Sequence, residues 1–108
     1  MKMDGTGKDA KLFENDGRPI FFADEISEIA FLRNRYNNAV TDKRRIEAEA
    51  KLYGVTDRKG LDDFSRTLYK YAVNDIEVIC RYISEHDIDY GEIDPETGLI
   101  VERKQNGK

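Results

Sequence analysis

Placed at about 100° per residue, residues 61 to 85 form an apolar arc of roughly 220°, about twice what one buried face of a surface helix needs. The arc holds Leu61, Phe64, Leu68, Tyr69, Tyr71, Ala72, Val73, Ile76, Val78, Ile79, Cys80, Tyr82 and Ile83. A helix this broadly apolar must be covered from more than one side, so the fold has to supply it with at least two neighbours.

The first neighbour lies upstream. Between Asp24 and Gly54, the residues Ile29, Leu32, Tyr36, Ala39, Lys43, Ile46, Ala50 and Tyr53 alternate by three and four without interruption, which predicts one amphipathic helix. Asp24 suits its N-cap, Glu25 and Glu28 its first turn, and Gly54 a left-handed end. Such a helix is about 45 Å long, against a diameter of about 34 Å for a compact chain of this size. Either it breaks between Asn37 and Asp42, where propensity is poor, or the molecule is elongated and covers the overhang by self-association. The unbroken phase favours the second.

Thr56 or Asp57 is placed to cap the second helix after a loose turn around Gly60. The same stretch invites comparison with a helix-turn-helix, since Ala50, Gly54 and Val55 match its first helix and turn. Gly60 at an apolar contact position, and Asp62 and Asp63 where phosphate would lie, argue against that reading.

At the chain ends, residues 1 to 10 read as a frayed, disordered tail and residues 104 to 108 as another. KLFENDGRPIFF sets two apolar runs around Asn15, Asp16 and Gly17, a hairpin signal. Asp94-Pro95-Glu96-Thr97-Gly98 gives a second, with proline early and glycine where positive φ is needed. The expected fold is therefore mainly α (α+β): one domain over residues 11 to 103, a long antiparallel αα-hairpin with short β-hairpins at both ends. The terminal hairpins could join into one small sheet, and two copies could pair as a four-helix bundle.

Charged residues make up 37% of the 108 residues, above the usual ~25%, so much of the surface is charged helix. The balance of 18 basic to 22 acidic side chains disfavours unaided binding to a phosphate backbone. A lone cysteine, Cys80, forms no internal disulfide, which points to the cytoplasm. No run approaches the ~18 apolar residues of a membrane span, and the opening residues lack a signal peptide's apolar core.

Catalytic signals are missing: His86 and Cys80 are the only residues of their types, and no nucleophile elbow or zinc spacing accompanies them. The acidic run from Glu85 to Glu96 departs from an EF-hand, because counting from Asp87 puts Glu92 and Gly98 where glycine and glutamate belong. No metal or cofactor is expected.

Three polar residues fall on apolar faces: Lys43, Asp75 and His86. In an antiparallel hairpin Lys43 would lie about one turn from Asp75, predicting a register-fixing ion pair joined by the Tyr36 hydroxyl, or a small polar ligand pocket. Phe31 projects opposite the apolar stripe beside Arg35, Asn38 and Arg45, the composition of a partner-binding anchor unless the amino-terminal hairpin covers it. Arg33, Arg35, Arg44 and Arg45 make a basic face, while residues 85 to 96 carry carboxylates and no Lys or Arg, a polarity that favours self-pairing. The expected function is a non-enzymatic, acidic protein-binding module, an adaptor or inhibitor docking on a larger protein as a homodimer. The alternative is nucleic-acid or nucleotide binding, with those four arginines on phosphates.

Overall fold

A computed structural model describes residues 1–52, 54 and 62–102. In chain order it contains β1 (Lys2–Asp4), a 3-10 turn (Gly7–Asp9), β2 (Lys11–Phe13), α1 (Glu25–Leu52), α2 (Asp63–His86), β3 (Glu92–Ile93) and β4 (Ile100–Val101). The architecture is α+β and mainly helical. Antiparallel packing of the helices is fixed by contacts from Glu28 to Tyr82, Arg35 to Asp75 and Glu47 to Tyr69.

The long first helix is unbroken across Asn37 to Asp42. Asp24 caps it, accepting the Ser27 amide at 2.7 Å, and Gly54 follows at φ 73°. Leu32, Tyr36, Ala39 and Ile46 of its three-and-four stripe are buried, with Val40 beside them. Twenty-eight residues make a rod of about 42 Å. The molecule is a flat slab of 43 × 42 × 19 Å with a radius of gyration of 15.7 Å, larger than the ~13 Å of a compact globule.

Asp62 caps α2, accepting the Ser65 amide at 2.7 Å. Thr56 and Asp57, the expected caps, and the turn around Gly60 lie outside the described residues, as does the core of the helix-turn-helix comparison. The helix ends on Asp87 in the left-handed region (φ 52°), whose amide returns to the carbonyls of Ile83 and Ser84.

The second neighbour that α2 requires is the start of the chain. Residues 1 to 10 are not a frayed tail: β1 pairs antiparallel with β2, joining Met3 to Leu12, and Met1 is only 1% exposed. Met1, Ala10 and Leu12 enter one core with Leu32, Ile79, Tyr82 and Ile83. Residues 1 to 10 therefore belong to the packed domain. Too few apolar residues punctuate this stretch to mark it as ordered, yet the uncovered flank of α2 gives each of them a place to bury, worth roughly 1.5–3 kcal/mol for a large side chain.

The turn after β2 forms as expected, with Gly17 at φ 92° and the Glu14 amide donating to Arg18 O at 2.8 Å. Its second arm is not a strand. Only Phe13 and Pro19 bridge, because proline has no amide to offer a ladder, and β2 takes β1 as its partner instead.

The carboxy-terminal hairpin pairs Glu92 with Val101 and Ile93 with Ile100, with Gly98 at φ 73°. It stays separate from the amino-terminal pair, so there is no single joined sheet among the described residues. It is fastened to α1 instead: Asn37 Nδ2 donates to Ile100 O at 3.1 Å, and Ile100 N donates to Asn37 Oδ1 at 2.7 Å.

At its base Gly91 has φ 106°, and a methyl group there would overlap the Val101 carbonyl and crowd an Arg33 guanidinium nitrogen at 3.1 Å. Gly91→Ala should lower the urea midpoint by the equivalent of about 1–3 kcal/mol, combining positive-φ strain with the clash. Gly17→Ala, where nothing lies within 4 Å, should cost less. Equal effects would show that the dihedral alone, and not the clash, restricts position 91.

Candidate functional site

The polar residues expected to converge do not. Lys43 bonds Glu47 at 3.0 Å and lies 5.9 Å from the Tyr69 ring centre. The helix register thus sets position 43 opposite Tyr69, about 9 Å along the axis from Asp75, and the Lys43 to Asp75 pair is corrected. Asp75 instead accepts the Met1 amino group at 3.2 Å and lies 3.7 Å from Arg35. Tyr36, buried, lines a separate cavity of about 360 Å³ with Cys80 and Tyr90. Among the described residues, Tyr36, Lys43 and Asp75 thus have separate surroundings.

Phe31 is not a free anchor. Phe22 meets its ring edge-on at 5.3 Å, so the amino-terminal segment supplies its cover. Arg35 crosses the Phe31 ring at 5.5 Å and grips both oxygens of Glu14, at 2.9 and 3.3 Å. Asn38 and Arg45 are exposed, and Arg45 lies 3.5 Å from Asp42.

Two of the other basic residues act inside the molecule. Arg33 Nε donates to Tyr90 O at 2.8 Å, and Arg44 donates to Glu96 O at 3.2 Å. Both bonds run from the basic face of α1 to backbone carbonyls of the carboxy-terminal segment, so these two arginines hold the hairpin down within one chain.

What the chain does build is a groove of about 650 Å³ where the amino-terminal arm crosses the start of α1 and the end of α2. Leu12, Phe13, Phe21 and Phe22 form its apolar side, and Phe21 is 84% exposed. The lining is completed by Asp24, Glu25 and Glu28 at the start of α1, with Tyr82, His86 and Asp87 at the end of α2. Four carboxylates stand against one lysine, Lys11. In the sequence Asp24, Glu25 and Glu28 read as ordinary capping and first-turn residues just after Phe21 and Phe22; only the approach of Leu12 and Phe13 from β2 and of Tyr82, His86 and Asp87 from the end of α2, which the tertiary fold brings about, closes a groove around them.

Within the groove the Tyr82 hydroxyl donates to Glu28 Oε2 at 2.6 Å. Burial, and then that bond, hold the phenol's pKa well above its usual value. His86 Nε2 lies 2.8 Å from Ala10 O and its ring packs 4.3 Å from Tyr82. Cys80 is about two turns back along α2, too far to be activated by His86, and desolvation pushes its thiol pKa up. Among the described residues no three His, Cys, Asp or Glu side chains come close enough to hold a metal ion, and no helix is long and apolar enough to cross a membrane.

Fold and site together define a mainly helical α+β hairpin with an aromatic, acid-rimmed groove at one end. No protein-family description, curated protein or solved structure matches the chain.

Two outcomes follow from this geometry. Asp75→Asn should destabilise by about 1–3 kcal/mol in urea melts, since it serves two cationic groups in a part-buried setting, whereas Lys43→Ala should change stability by less than ~0.5 kcal/mol. Because the folded state keeps the Tyr82 proton while the unfolded chain begins to lose it near its ordinary value of 10.0, stability should fall as pH rises above that value. Tyr82→Phe should flatten this slope without abolishing it, because burial raises the Tyr36 pKa as well; an unchanged slope would contradict the assignment.

Proposed function

We propose that this chain is a non-enzymatic, acidic protein-binding module, an adaptor or small inhibitor that docks on a larger protein through the groove beside Phe21. The observation that carries this reading is the exposed Phe21 at the lip of an apolar-walled groove rimmed by four carboxylates. A large aromatic group left in water next to a concave surface is the composition of an interface centre rather than of a solvated face. A cytoplasmic setting, where a lone thiol stays reduced, accords with it.

Pairing of two copies into a four-helix bundle is the companion proposal. Its support is that Leu52 and Phe64, where the helices approach their connection, remain 78% and 77% exposed. Nucleic-acid or nucleotide binding by the basic face is the less favoured reading, because Arg33, Arg35 and Arg44 already bond groups of their own chain.

Affinity capture from extracts of the source cells tests the docking reading. Wild type and a Lys70→Ala control should retain the same partner, and Phe21→Asp should lose it at least ~tenfold, about 1.4 kcal/mol; equal capture by all three would sink the assignment to this groove. Light scattering should give twice the 12.5 kDa chain mass, and a 12.5 kDa particle would remove the pairing proposal.

A further inference from the structure

We infer that the groove receives an extended, arginine-bearing segment of the partner, its guanidinium against the carboxylates of Glu25, Glu28 and Asp87 and a flanking apolar side chain against Phe21. This rests on the docking reading above and names the chemistry of the occupant.

Charge decides the sign. None of the four groove carboxylates forms an ion pair with a basic side chain among the described residues, and Lys11 alone opposes them on the lining. The positive end of α1 offsets part of the field of Glu25 and Glu28, whereas Asp87 sits at the negative end of α2, where the backbone dipoles reinforce it. The carboxylates are too dispersed for one metal ion, so the matching cation is one with several donors spread over a plane.

Shape decides between cations. Phe13, Phe21 and Phe22 supply ring surface on the same lining, and a guanidinium can lie on a ring while donating in its own plane to carboxylates, which an ammonium cannot do as well. The chain already uses this arrangement next door: Arg35 lies over Phe31, whose ring meets Phe22, and is bonded to both oxygens of Glu14. The groove presents the same pairing of aromatic ring and carboxylate without an arginine of its own. A volume of about 650 Å³ has room for that side chain and a neighbour.

The test is an amide NMR titration of the full chain with three capped peptides: Gly-Phe-Arg-Phe-Gly, the same with citrulline, and the same with glutamate. The arginine peptide should give saturable shifts at Glu25, Glu28, Asp87 and Ile88, with at least ~tenfold tighter binding than either of the others. Glu25→Gln/Asp87→Asn should abolish that preference with an unchanged helical circular-dichroism spectrum, and Glu49→Gln should keep it. Equal binding of the citrulline peptide, or no shift at those amides with any peptide, would overturn the inference. Capture that is lost in Phe21→Asp yet indifferent to Glu25→Gln/Asp87→Asn would leave the docking reading standing and refute the arginine; capture indifferent to Phe21→Asp would refute the docking reading itself.

Discussion

Everything in this molecule is arranged around the need to clothe α2. A helix apolar over more than half its circumference cannot be satisfied by one neighbour, and α1 covers only one side of it. The amino-terminal arm covers the other, sinking Met1, Ala10 and Leu12 into the same core as Ile79, Tyr82 and Ile83. The groove is a by-product of that solution. An arm that must cross from the flank of α2 to the start of α1 leaves Phe21 and Phe22 spanning the gap, over carboxylates placed there for helix capping.

Polar contacts then fix what the apolar contacts leave free. Asn37, Arg33 and Arg44 reach from α1 to carbonyl groups of the carboxy-terminal hairpin, and Asn37 also accepts the Ile100 amide. Each such bond is worth only ~1 kcal/mol net, yet together they set the position of a two-residue ladder that could not hold itself in water. The same arginines are thereby engaged within their own chain, whereas the carboxylates of the groove form no ion pair with a basic side chain among the described residues.

Local signals were legible where local physics decides. The phase of the α1 stripe, the Asp24 cap, the Gly54 end and the Gly98 turn can be read from spacing and residue type, because each depends on neighbours a few positions away. Met1 and Leu12 could not be assigned to the core in that way, since their burial depends on a helix that begins only at Asp63. The Lys43 to Asp75 pairing failed for a related reason: helical phase names a face, but a shift of one turn along the axis separates two side chains by more than their reach. The groove was invisible because Glu25 and Glu28 belong equally to any helix start, and only the returning arm distinguishes this one.

Native-state hydrogen exchange on the arm tests the central claim most directly. The Ile20 amide donates to Leu12 O at 3.0 Å and the Gly7 amide to Glu85 Oε2 at 2.7 Å, the first closing the arm on itself and the second tying it to α2. If the arm is an integral wall of the core, both amides should open with a free energy approaching that of the Ile79 amide in mid-helix. Exchange of both at the rate of an unstructured peptide, with Ile79 still protected, would show that α2 is covered by something other than its own chain.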